Sequence, residues 1–198
     1  MRKSLTLLLL LHVFTYVKGQ KSEISFHVYL KDKLIGKVEA IEIKKGAEVI
    51  RDVKAESDAS VMMLSVHVET DTKVINGNRV QIEGTAYRHT NRGPSDIHAT
   101  TKRLAAKKYE LDRNGTKSLY ELEEITFSVT DLFFEEPVGI QKIFSNMFAE
   151  MVPLKTLGSG KYQVTTPDKK STIYTYSNGK LVVIESETPA GNVLSKRI

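Results

Sequence analysis

The chain has 198 residues, of which 40% are hydrophobic and 27% charged, with 12 Gly, 5 Pro and no Cys. That composition excludes disordered and collagen-like chains and predicts a globular protein. A single fold of this size buries roughly 70% of the surface its unfolded chain exposes, so it needs neither disulfides nor a structural metal. The lack of Cys excludes a Cys-type zinc site, a thiol nucleophile and a lipidated cysteine.

Residues 1–20 carry a basic start at Arg2 and Lys3, an apolar run from Leu5 to Val17, and small Gly19 near the end. This is the pattern of a signal peptide cleaved near Gly19 or Gln20, and the run falls short of the ~20 apolar residues of a transmembrane helix. Export to the periplasm or the medium follows as the expectation, with residues 21–198 forming one β-rich domain and no transmembrane span after cleavage. Removing residues 1–20 deletes Arg2, Lys3 and Lys18 and no acid, which leaves 26 basic against 24 acidic side chains. A nucleic-acid partner, which would need a basic stripe, loses its support. Asn114-Gly115-Thr116 matches a glycosylation acceptor, but Asn-Gly is also a hairpin turn, which is the reading preferred here.

From Glu23 onward the hydrophobic period is two. Ile24, Phe26, Val28 and Leu30 alternate with polar residues, and Leu34, Gly36, Val38 and Ala40 resume the pattern after a three-residue loop at Lys31 to Lys33. Val49 to Glu56 reads as a third strand. A fourth begins with Met62, Leu64, Val66 and Val68 and ends near Ile75, and with Asn76-Gly77-Asn78 as its loop Val74 pairs with Val80 and Val68 with Ala86. Further strands follow at Ile97 to Leu104, Tyr109 to Asp112, Leu119 to Leu122 and Ile125 to Val129. A closing meander takes Tyr162 to Thr166, Ile173 to Tyr176 and Leu181 to Ser186. One segment differs: Ile140, Ile143, Phe144, Met147, Phe148 and Met151 recur at helical spacing between Pro137 and Pro153, which predicts a helix over about 138–151. The fold class is therefore all-β: one antiparallel meander of about ten strands forming a curved sheet or incomplete barrel, with at most one helix. A membrane-spanning barrel is disfavoured, because Lys37, Glu39, Glu69, Lys73, Gln81 and Glu83 occupy the wet positions along full strands and the chain has no Trp.

No nucleophile elbow, metalloprotease helix, Walker loop or dinucleotide fingerprint occurs, so no enzyme activity and no cofactor are expected. The carboxylate pairs Glu123-Glu124 and Glu135-Glu136 are adjacent, and neighbours on a strand point to opposite faces. The histidines allow one candidate metal site. If the loop after His89 spans Arg92 to Ser95, His89 lies opposite His98, and the preceding register puts His67 opposite Tyr87 and Ser65 opposite His89. His67, His89 and His98 would then share one polar face, with Glu69 nearby, and these are the ligand types of a zinc or copper site.

The stretch from Asp131 to Gly139 (Asp-Leu-Phe-Phe-Glu-Glu-Pro-Val-Gly), then Ile143-Phe144-Ser145, Gly160-Lys161-Tyr162, Pro167-Asp168 and Tyr174 to Gly179 resembles an uncharacterised exported family of Gram-negative bacteria, the domain of unknown function 6134 type. Tyr29 to Gly36 is similar too, although Lys31-Asp32-Lys33 stands where the family has an Asn-Gly or Asp-Gly turn. The resemblance implies an all-β envelope protein and supplies no catalytic residue. For residues 138–151 it leaves open a strand, a break at Ser145-Asn146 and a second strand.

Three functions remain. The first is a non-enzymatic binding protein whose curved sheet encloses a small apolar ligand such as a lipid, lined by Phe26, Met62, Leu64 and Val66. The second is a structural or protein-interaction component of the envelope, partnered by another envelope protein through a strand edge or the helix. The third, with less support, is a metal-dependent enzyme.

Overall fold

A computed structural model describes residues 19–61, 64–92, 96–188 and 191–198. The expected signal peptide, apart from its last two residues, lies outside them. Fourteen strands form a single antiparallel sheet: β1 (Gln20–Leu30), β2 (Lys33–Lys45), β3 (Glu48–Val61), β4 (Leu64–Gly77), β5 (Val80–Thr90), β6 (Ile97–Ala105), β7 (Lys108–Arg113), β8 (Thr116–Tyr120), β9 (Lys142–Ser145), β10 (Glu150–Gly158), β11 (Lys161–Thr165), β12 (Ser171–Ser177), β13 (Lys180–Thr188) and β14 (Gly191–Arg197). A 3-10 turn at Val129–Phe133 interrupts the long connection between β8 and β9. Neighbours in sequence are neighbours in the sheet, except that β1 pairs with β14 and the order runs from β8 at one edge through β1 and β14 to β9 at the other. The sheet curves without closing, and the β8–β9 connection lies in its hollow.

The strand count is fourteen where the sequence suggests about ten, and the expected helix over 138–151 is absent. In its place stand β9, a turn in which Ala149 takes a φ of 57°, and the start of β10. The reason lies in the neighbours Ile143 and Phe144, both fully buried in different cores. Ile143 joins the main core, whereas Phe144 packs with Tyr109, Leu111, Tyr120 and Ile125. Adjacent residues buried on opposite sides need a strand, and a strand covered on both faces loses its period-two signature, so its apolar run imitated a helix. The strand, break and strand left open by the family resemblance is the arrangement found. Ile125 to Val129 forms no strand and is bridged to β9 by a parallel pairing of Ser128 with Phe144.

Turn chemistry corrects the registers. In the first hairpin Lys31 and Asp32 both take positive φ, 48° and 65°, which makes a two-residue turn of the type favoured by strand twist. A bulge beside Val28 then absorbs one residue, so Phe26 still faces Val38 and Ile24 still faces Ala40, as the apolar pattern requires. Asn78 and Arg79 form the second such turn, with φ of 50° and 65°. Gly77 consequently belongs to β4 and pairs with Val80, and beyond another bulge Val74 pairs with Gly84 and Thr72 with Ala86. This register is four residues from the expected one, an even shift that keeps Val68, Thr72, Val74 and Ala86 on their predicted face, but the bulge between Ile75 and Asn76 turns Gln81, expected on the wet face, inward (1% exposed) and Ile82 outward. Asn114-Gly115 is a turn as expected, and the Asn114 side chain accepts a hydrogen bond from the His98 amide (2.7 Å) and donates one to the Asp96 carbonyl (3.0 Å).

The main core lies between the inner faces of β1–β3 and β10–β13 and the 3-10 turn, with Phe26, Leu132, Ile143, Val152 and Leu181 at its centre. No helix among the described residues is long and apolar enough to cross a membrane.

Candidate binding cavity

The segment that resembles the family motif plugs one end of the curved sheet. Asp131 Oδ2 accepts from the Ser128 amide (2.6 Å) and hydroxyl (2.8 Å), which fixes the 3-10 turn, while its Oδ1 meets the Arg51 guanidinium. Arg51 also binds Glu42 through Nε (2.8 Å) and Nη2 (2.7 Å), reaches Glu135, and lies 5.4 Å from the centre of the Phe134 ring. Burial works against its charge, but Asp131 and the hydrogen bonds to Glu135 and Glu42 outweigh it and hold the pKa above the ordinary arginine value. Leu132 is fully buried, and its carbonyl accepts from Tyr176 Oη (2.6 Å). Phe133 meets Phe26 edge to face at 6.0 Å, and Glu136 accepts from Tyr162 Oη (2.9 Å). The motif is thus a clamp that holds the connection inside the sheet. A second clamp joins Gln81 Nε2 to Asn146 Oδ1 (2.8 Å), close against Gly84, where a Cβ would overlap the Asn146 side chain.

Beyond this plug the hollow is not filled. A cavity of about 270 Å³ remains, with Val129, Thr130 and Phe133 of the plug on one side and the inner faces of β2–β4 and β12–β14 around it. Its apolar wall includes Val38, Val53, Ile184 and Met147, and its polar wall Thr70, Thr72, Ser195 and the Thr172–Ser186 pair. Tyr174 lines it too. This tyrosine is 6% exposed, and burial raises its pKa above the ordinary value. Further along the same inner faces Ala55, Ser57, Val68 and Thr70 are only half-buried, so the cavity opens toward the β3–β4 tip.

The sequence-predicted lining residues are distributed differently. Phe26 is wholly buried in the core beneath the Phe133 ring and does not line the cavity. Val66 is half-buried on the inner face of β4, two residues beyond Val68. Leu64 opens β4 and pairs with Val61, and Met62 lies outside the described residues. Sequence reasoning missed Tyr174, Thr72 and Ser195, although the inward alternation of Thr172, Tyr174 and Tyr176 carried a signal.

The histidines occupy the outer face. His67 lies opposite Asp58 and not Tyr87, with Nδ1 2.9 Å from Asp58 Oδ1, and this carboxylate raises the imidazole pKa. His89 lies opposite Glu69 and holds Asp96 at 3.0 Å, and the His67 and His89 rings are 6.4 Å apart. His98 pairs with Tyr87 in place of His89, 4.9 Å between rings, in a row whose next member is Asp71. The structure therefore brings His67 and His89 together and leaves His98 in another row. Glu56, Asp58 and His67 offer donor atoms within 4.8 Å of one another. Each member of the two adjacent carboxylate pairs is engaged separately: Glu123 by Lys142, Glu124 by Arg103 and Tyr109, Glu135 by Arg51, Glu136 by Tyr162. Hydrogen bonds from Arg103 and then Tyr109 hold the Glu124 pKa down to about 2.

No curated protein and no solved structure matches the chain. A family model described as "Domain of unknown function (DUF6134)" matches residues 26–198. That span takes in all of the sheet from the middle of β1 onward, both clamps and the cavity, and the chain belongs to this family.

Proposed function

We propose that the protein is an exported, non-catalytic binding protein whose cavity takes a small ligand with an apolar body and at least one hydrogen-bonding group. The carrying observation is the cavity itself, left open between the plug and the inner faces of β2–β4 and β12–β14, where Tyr174 and the hydroxyls of Thr70, Thr72 and Ser195 stand among aliphatic side chains and can hydrogen-bond an occupant. The volume, about 270 Å³, sits just under the usual ~300–1,000 Å³ of small-molecule sites and suits a medium-length acyl or isoprenoid chain. The wall agrees, with a few hydroxyls set among aliphatic and aromatic side chains.

Screening a panel of fatty acids, fatty alcohols and isoprenoids by thermal shift tests this. A ligand at a hundredfold excess over Kd stabilises by about 2.7 kcal/mol, a shift of a few degrees for a protein of this size. At least one member is expected to produce it, and Thr72→Trp, which fills the cavity, is expected to abolish the shift in a protein that still folds. A panel that leaves the melting temperature unchanged would overturn the reading in favour of an envelope-interaction role.

Export rests on Arg2, Lys3 and the apolar run to Val17, and the family match beginning at Phe26 supports it by leaving that segment outside the domain. N-terminal sequencing of the protein recovered from the periplasm or medium is expected to start between residues 20 and 22. Recovery of chains that begin at Met1 would reject cleavage.

A further inference from the structure

Two arginines project into the hollow without a carboxylate. Arg88, on β5, lies directly across from Thr70 on one side and Ile97 on the other. Cross-strand partners share a face, Thr70 lines the cavity, and Ile97 is buried with Ala86 and Ala99 against Met147, another wall residue. Arg88 is therefore an inner-face residue at the cavity's open side. Its Nε is buried without a hydrogen-bond partner, and it forms no ion pair with a described residue. Arg113, on β7, lies opposite Ala99 on the same face. Its Nε donates to the Met147 carbonyl (3.1 Å), its guanidinium lies over Phe148 at 5.7 Å, and it too has no ion pair with a described residue. Carboxylates do enter the hollow, but at the plugged end, where Arg51 engages Glu42, Asp131 and Glu135, and Arg103 engages Glu124.

A half-buried guanidinium with an unmet donor is poor design for a cavity that holds a neutral hydrocarbon, since burying an unpaired charge is costly. It is well matched to an anion, because the planar guanidinium offers a fork of donors that a carboxylate accepts in pairs. We infer that the ligand of this cavity is an anionic amphiphile, a medium-chain fatty acid, whose chain lies along Val38, Val53 and Ile184 and whose carboxylate is bound by Arg88, with Arg113 adding charge nearby. The inference rests on the binding reading above and adds the charge of the ligand and the residue that reads it.

Dodecanoate and dodecanol, which share a chain and differ in the head, separate the two ideas. Titrated into the wild-type protein by calorimetry, dodecanoate is expected to bind about tenfold or more tightly than dodecanol, the discrimination available from a charged hydrogen bond. Arg88→Met is expected to remove that preference, weakening dodecanoate and leaving dodecanol within a few-fold of its wild-type affinity. Arg88→Gln serves the same purpose if the methionine variant does not fold, and Arg88→Lys is expected to recover part of the preference. Equal wild-type affinity for the two ligands, or equal weakening of both by Arg88→Met, would overturn the inference while the cavity remained a binding site. Binding of neither would overturn the cavity reading and this inference together.

Discussion

Replacing Arg51 with methionine is expected to unfold the protein, or nearly so, at neutral pH. The guanidinium is 5% exposed and faces Glu42, Asp131 and Glu135, of which the first two are 8% and 3% exposed. Removing Arg51, the only cation in contact with Asp131 among the described residues, leaves that buried carboxylate with no countercharge, although Glu42 keeps Lys44 at 3.0 Å and Glu135 is 42% exposed. Breaking a buried ion pair in this way costs about 3–5 kcal/mol, against a total stability of about 5–15 kcal/mol. Urea unfolding followed by circular dichroism measures the loss. The equivalent change at Arg103 should cost much less, because Arg103 and Glu124 are 33% and 24% exposed and water can take over part of the pairing. Equal losses at the two positions would show that the Arg51 cluster is not what holds the plug.

The second large effect is expected at Phe26. Truncation to alanine removes a fully buried ring from beneath Phe133 and should cost about 3–5 kcal/mol, read as a lower urea midpoint with an unchanged slope. Val66→Ala, on the same strand-face type but half-buried, should cost no more than about 1 kcal/mol. The sequence alone treats these two residues alike, as lining. A comparable loss at Val66 would mean that the inner face of β4 is packed to its tip and that the cavity does not open there.

What was legible in the chain was the alternation. Ile24, Phe26 and Val28 point inward because period-two burial leaves no other solution, and the same rule places Val38, Ala40 and Val53 against them. Less legible were the exact turns, since a bulge beside Val28 or Ile75 adds a residue that composition does not announce. Least legible was the segment from Pro137 to Pro153, where Ile143 and Phe144 face different cores and no single face exists to be read. The site followed the same division. Tyr174 and Arg88 sit at ordinary inward positions of ordinary strands. They become notable only when the fold shows which inward positions are filled by the plug and which face empty space.

The pairing of β1 with β14, in which Phe26 meets Arg197 and Leu30 meets Val193, makes the order of assembly a matter of time as well as space. Every other ladder joins strands adjacent in sequence and can form as a hairpin while the rest of the chain is still absent. The seam between the first and last strands cannot. Until Arg197 is available, β1 has one open edge and the two arms of the sheet are joined only through the plug. A chain threaded through a membrane from its amino end would thus travel as a set of separate hairpins, its central ladder incomplete until the final residues emerge, and the finished hollow would exist only on the far side.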